Sequence, residues 1–477
     1  MSVTSSIGSR PPARIGALMA ALLAASFAFQ LNASMLSPAL TTMADELHTS
    51  SSTIGFTQTA FFTAAALFSL FLPRLGDLIG RRKVLAGMMA LMAVGCVISA
   101  LATSVGVLAV GRVIQGASGP TIPLALIMLR VEVADPKRYG TLLGVITAIN
   151  GGIAGIDSFV GGYLADHHGY ASIFWTMAVV AVVATLLVHF LARESRAEET
   201  PHMDWPGVAV LVVSVGALLI AFNEAGKLAD ANWSLAVGLT VLAAVAFWVF
   251  WRIEARTAQP LVATRLLKRR ATWSILLCTM LTMTGVFAIM NGLLPAFAQD
   301  STAGLGLGAE GSTWWTLTPY ALAGLAMGPV AGRLASTMGY GRILRIGLVA
   351  TALATALALL ALSAGSPGLL LTVSILLGVT YAGTANIMLN GLGIVLSPRE
   401  NPGFLPGLNA GCFNLGAGLS FVVLYAAMDA VTPSSPSSVA GYSAGVITGL
   451  VLIVAALCAS LLIPKPVEAE APDPHRA

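Results

Sequence analysis

Asp157 stands alone in the stretch "AINGGIAGIDSFVGGYLAD" (148–166), with at least eight uncharged residues on each side. A carboxylate so isolated can take up and release a proton, or hold a cation. One basic residue is isolated in the same way. It is Arg112, in "GRVIQGASGP" (111–120), a stretch that also carries Gln115 and Gly116. What chemistry the two charges perform depends on whether they sit in water or in lipid.

Composition decides that. Of 477 residues, 57% are hydrophobic and 10% charged, where a soluble domain carries about 25% charge. The charges gather between fourteen apolar runs of about 20 residues, the length that crosses a bilayer core. The expected fold is therefore all-α and polytopic, with fourteen transmembrane helices. Alternate inter-run segments hold 23 of the 25 Lys and Arg residues, which places both termini on the cytoplasmic side. The basic excess is thus topological and implies no nucleic-acid partner. Residues 14–40 read as an uncleaved first helix, because the apolar run outlasts the core of a signal peptide.

Other function classes find little support. Cys96, Cys278, Cys412 and Cys458 fall singly on four runs, so no metal site or disulfide framework is expected. No Gly-x-x-x-x-Gly-Lys-Ser/Thr loop is present to serve an ATP-driven pump. The loops are too short and too poor in His, Asp and Glu for an enzyme site, and no cofactor is expected.

Depth can be read from helix rise. Asp157 lies 17 residues into the fifth run, roughly 25 Å from its start, and Arg112 about 7 Å inside the outer surface. Both fall in the outer half, on consecutive antiparallel helices. An ionised group alone in lipid costs about 2.5–3.5 kcal/mol, so each is expected to face a cavity or the other. Two readings stay open: a structural ion pair, and a titrating or cation-binding Asp157 beside Arg112.

Uncharged polar residues at membrane depth outline a substrate cavity: Gln30, Asn32 and Ser34, then Gln58 and Asn150. The later runs add Asn291, Tyr320, Tyr381, Asn386, Asn390, Asn409 and Asn414. Any of these can equally join neighbouring helices. Asn386 and Asn390, four apart, share a helix face.

Two loops look alike. "PRLGDLIGRRKVL" (73–85) aligns with "GRLASTMGYGRIL" (332–344) at an offset of 259 residues, Gly80 falling on Gly339. The chain divides into two six-helix bundles, 14–192 and 271–463. Between them lies a linker with an inserted helix pair, 193–270. Residues 1–13 form a cytoplasmic tail, and the Pro- and Glu-rich residues 464–477 are expected to be disordered. Such internal repeats mark secondary transporters, whose substrate site lies between the halves.

The first loop resembles the signature between helices 2 and 3 of the major facilitator superfamily through Leu75, Gly76, Asp77, Gly80, Arg81, Arg82 and Lys83. Pro73 and Leu78 depart from it. Arg112, Gln115 and Gly116 resemble the family's helix-4 motif. "MDWPG" (203–207), "NW" (232–233) and "RIEARTAQPLVATRLLKRR" (252–270) are similar to landmarks of its fourteen-helix drug:proton antiporters. The resemblance implies a major facilitator fold, in which Gly76 and Gly80 permit a tight turn and Asp77 latches one conformation. It further implies a monomer surrounded by membrane lipid in the bacterial inner membrane, exporting small amphipathic or cationic compounds against protons by alternating access. Two departures stand out. Asn32 occupies the place of a helix-1 acid, and Asp157–Ser158 the place of a helix-5 Gly-Pro. They keep proton-coupled uptake of a small organic solute as the alternative.

Overall fold

The computed structural model describes residues 12–133, 135, 138–139, 141–143, 145–146, 154–196, 203–226, 231–257, 260, 264–397, 404–431 and 438–465. The described residues are almost entirely helical. The longer helices are labelled here in chain order, and the first half holds α1 (Pro12–Ser34), α2 (Ser51–Ile79), α3 (Arg81–Ala100), α4 (Val105–Gln115, resumed at Thr121–Glu132), α5 (Ala154–His168) and α6 (Tyr170–Leu191). Next come α7 (Trp205–Gly226) and α8 (Trp233–Glu254). The second half holds α9 (Arg270–Ala288), α10 (Leu317–Met338), α11 (Tyr340–Ala364), α12 (Pro367–Leu377, resumed at Asn386–Val395), α13 (Phe404–Val431) and α14 (Val439–Ser460).

Among the described residues, eleven of these stretches are long and apolar enough to cross a membrane, against the fourteen expected. The three exceptions have separate reasons. α4 is divided by a 3-10 turn at Gly116–Ser118. Of the fifth apolar run, the helix described is Ala154–His168. α10 has the length, 22 residues, but its sequence LTPYALAGLAMGPVAGRLASTM is rich in small and polar residues.

The 259-residue offset reappears in the backbone. α2 ends at Ile79 and α10 at Met338, while α3 starts at Arg81 and α11 at Tyr340. Between them Gly80 and Gly339 take φ of 120° and 86°, a turn that a residue with a Cβ resists. The first helix of each half is also interrupted near its end. α1 breaks into the turn Ser37–Ala39 before Leu40–Glu46, and α9 widens into a π turn at Ile289–Leu293 before Leu294–Gln299.

Small residues set the seam between the halves. Gly418 on α13 packs closely on α2, where a Cβ would lie 3.2 Å from the Thr59 carbonyl oxygen, and the Thr59 hydroxyl donates to the Gly418 carbonyl at 2.8 Å. α7 and α8 pack on each other and, through Leu211 and Phe250, on Leu67, Leu70, Phe404 and Leu408 of α2 and α13. Only 33% and 22% of their spans is buried, as suits helices with a broad lipid-facing side.

Candidate functional site

Arg112 is fully buried, and three helices meet on its guanidinium. One terminal nitrogen donates to Asn32 Oδ1 of α1 and to Gln115 Oε1 at 2.7 Å; the other donates to Gln58 Oε1 of α2 at 2.7 Å. The guanidinium carbon stands 4.2 Å above the centre of the Phe61 ring. Gln115 also donates to Ser99 of α3 at 2.9 Å. Glycines allow this convergence: a Cβ on Gly95 would lie 2.7 Å from the Gly111 carbonyl oxygen, so α3 and α4 touch backbone to backbone. Among the described residues, Arg112 Nε and Asn32 Nδ2 are buried without a hydrogen-bond partner.

Asp157 forms a second cluster. It is 2% exposed and takes a hydrogen bond from the Ser34 hydroxyl of α1. Ser34 in turn receives Gln30 Nε2 at 2.8 Å and lies 2.9 Å from the Gln30 carbonyl oxygen. This arrangement serves both states of the acid. With Asp157 ionised, Ser34 turns its O–H to the carboxylate. With Asp157 protonated, the acid donates to Ser34 and the hydroxyl turns to the Gln30 carbonyl. Either way each polar atom keeps a partner.

The two charges do not pair. Among the described residues, the partners of Arg112 are amide oxygens, and those of Asp157 are Ser34 and Ser158. The reason lies in α1. Asn32 faces Arg112 and Ser34 faces Asp157, and residues two apart on a helix point about 200° apart. α1 therefore stands between the charges, and in place of the ion pair, one of the two readings the sequence left open, there are two hydrogen-bonded clusters.

The remaining cavity residues divide in the same way. Asn32 and Gln58 surround Arg112, and Gln30 and Ser34 attend Asp157. In the second half Asn291 accepts from Ser37 of the first half at 3.3 Å, bridging the seam. Asn409 accepts from Thr279 at 2.6 Å, Tyr381 donates to the Met283 sulfur, and Asn390 donates to Asn386 at 3.1 Å. These bonds join helices or turns within one half. Tyr320 is half-buried and Asn414 buried, and Asn150 lies outside the described residues.

The motif loop is tied down within the first half. Asp77 Oδ1 accepts a hydrogen bond from Arg81 Nε at 2.8 Å and forms an ion pair with a terminal nitrogen of the same guanidinium, also at 2.8 Å. Arg81 N–H donates to the Ser195 carbonyl, and Arg82 N–H donates to Glu194, whose carboxylate fills the space a Cβ at Gly80 would need. Gly76 is buried, Leu75 half-buried and Lys83 exposed.

The Major Facilitator Superfamily model matches residues 22–421. The chain belongs to that superfamily. A uridine/deoxyuridine transporter of Lactococcus lactis subsp. cremoris is 56% identical to it over 454 residues, 94% of this chain and 95% of that protein. Multidrug resistance protein 3 of Bacillus subtilis is 23% identical over 278 residues, 58% of this chain and 53% of that one. A solved POT family transporter, in complex with 5-aminolevulinic acid, superposes with a TM-score of 0.70 at 14% identity, covering 96% of this chain and 97% of that one. That likeness shows the fold alone.

As a member of this superfamily the chain is an integral membrane transporter. Its narrower resemblance to drug:proton antiporters has less behind it, since a relative carrying a nucleoside transporter's name matches far more of the chain at higher identity than the multidrug protein does. Some residues with evident work escaped the sequence reading. Glu194 pins the motif loop, and Ser37 crosses the seam. Phe61 carries the Arg112 guanidinium, and its place three residues after Gln58, on one helix face, was the available signal.

Proposed function

We propose that this protein takes up pyrimidine nucleosides by proton symport. The observation that carries this reading is the 56% identity, across nearly the full length of both chains, to a protein named a uridine/deoxyuridine transporter. The Asp157 cluster supports the coupling: Ser34 accommodates both the charged and the neutral acid without stranding a polar atom. In this reading fourteen helices cross a bacterial inner membrane, both termini are cytoplasmic, and the protein works as a monomer in membrane lipid. Two six-helix bundles rock about the seam, with α7 and α8 outside them. The Asp77 loop latches the cytoplasmic end when the opposite face is open.

The test is uridine transport in proteoliposomes. An inward proton gradient should drive uridine accumulation, with competition by deoxyuridine. Asp157→Asn should abolish accumulation while leaving exchange of labelled for unlabelled uridine. Absence of uridine exchange in the wild type would overturn the substrate. Gradient-driven accumulation by Asp157→Asn at the wild-type rate would overturn the coupling role.

A further inference from the structure

Two carboxylates reach from one half to the other. Asp166, near the end of α5, accepts hydrogen bonds from the backbone N–H groups of Ala309 and Glu310, each 2.8 Å long. Those amides open the short helix Ala309–Trp315 that leads into α10. Near the end of α13, Asp429 accepts a hydrogen bond from the side chain of Ser52, in the first turn of α2. The repeat offset of 259 places Ala309 and Glu310 on Ser50 and Ser51. The fifth helix of each half therefore sends a carboxylate to the start of the second helix of the other half.

Chemistry favours a carboxylate at both places. A helix start carries N–H groups without partners in the helix and a partial positive charge. Asp166 accepts from two such N–H groups and Asp429 from the Ser52 hydroxyl, and bonds to an ionised oxygen are roughly twice as strong as neutral ones. Both contacts lie at the face away from Arg74, Arg81 and Arg82. The neutral bonds across the seam, Ser37 to Asn291 and Gln299 to the Pro38 carbonyl, lie there too. At the opposite end Thr121–Glu132 and Asn386–Val395 pack mainly within their own halves. The structure is thus closed at the face that carries the acids. Asp166 is exposed, so water can replace its bonds when the halves separate, which makes the contact reversible. A cap within one half would persist through transport. These bonds cross between halves that have to part.

We propose that Asp166 and Asp429 are paired gating residues, each holding one side of this face shut and each released when the face opens. This rests on the alternating-access part of the proposed function and on no particular solute or coupling ion. The test reads conformation without substrate. Spin labels on His48→Cys and Thr302→Cys, exposed positions of the two halves at this face, report the gap by electron-electron distance measurement. Cys458→Ser and Cys412→Ala remove the reachable native thiols. The double variant Asp166→Asn/Asp429→Asn, matched in size, should raise the ratio of wide to closed populations at least about tenfold. Each single variant should give part of that, and Asp45→Asn, an exposed acid at the same face, should give none. A distance distribution in the double variant identical to wild type would overturn the proposal. As a second readout, a disulfide between Asp166→Cys and Ala309→Cys should stop exchange until it is reduced. Full exchange while crosslinked would overturn it as well. Wild-type uridine exchange can fail while the distance shift appears, so the two ideas fall separately.

Discussion

Gly95→Ala should damage transport, whereas Gly87→Ala, eight residues earlier on the same helix, should stabilise the protein. Both replacements gain the helix preference of Ala over Gly, about 0.5–1 kcal/mol. At Gly87 no described atom outside the adjoining turns of its own helix lies within 4 Å of the new methyl, so that gain is the whole effect. At Gly95 the methyl would stand 2.7 Å from the Gly111 carbonyl oxygen and 2.9 Å from Gln115 N. Backbone atoms cannot rotate aside, and ordinary contact begins at 3.4 Å. α3 and α4 therefore have to separate by about half an ångström, at an overpacking cost of about 1–3 kcal/mol. At mid-range, about 2 against about 0.75 kcal/mol, overpacking exceeds propensity and leaves a net loss on the order of 1 kcal/mol. The same shift stretches the 2.9 Å bond from Gln115 to Ser99 to about 3.4 Å, weakens it, and loosens one of three amide oxygens around Arg112. Thermal unfolding in detergent and uridine uptake in proteoliposomes, with both variants in parallel, give the answer. The midpoint should rise for Gly87→Ala and fall for Gly95→Ala, and uptake should drop in the second alone. Wild-type midpoint and uptake in Gly95→Ala would refute the packing argument and the role given to the Arg112 cluster.

Two further outcomes concern the same cluster. Arg112→Lys should reduce uptake more than about tenfold at equal membrane expression, because one ammonium cannot span the amide oxygens of Asn32, Gln58 and Gln115 that a guanidinium reaches together; uptake kept to within about twofold would count against that. Asn32→Asp should raise the thermal midpoint, since it supplies a counter-charge where an acceptor already sits and removes an unpartnered donor worth about 1–3 kcal/mol. A lowered midpoint would show that the site rejects a second charge.

Helix rise explains what the sequence could show of this molecule and what it withheld. Apolar run length and the 259-residue repeat are one-dimensional properties; they pointed to an all-helical chain and aligned Gly80 with Gly339, both of which take positive φ. Arg112 and Gln115 were legible together because residues three apart share a helix face. Interruptions inside helices were not. The widened turn Gly378–Ala385 contains no proline, and it lies where Gly378 and Gly383 press on the backbone of α10, a contact set by the partner helix.

Depth is a coordinate along the helix, and the ion pair of Arg112 with Asp157, one of the two readings left open, rested on depth alone. The missing coordinate is the angle around α1. Asn32 and Ser34 were grouped as one polar patch, yet two residues of spacing turn them to nearly opposite sides. The substitution of Asn for an acid at residue 32 then has a local consequence. It leaves Arg112 held by dipoles and ring electrons, without a carboxylate among its described partners. On the far side of the same helix Asp157 meets hydroxyls, without a cation among its described partners. Each group can therefore change its surroundings as the halves move without first breaking a buried ion pair, a step whose cost, about 3–5 kcal/mol, would otherwise fall on every transport cycle. Separating the two charges with α1 keeps that barrier low, and under the proposed symport it leaves Asp157 free to change its charge during the cycle.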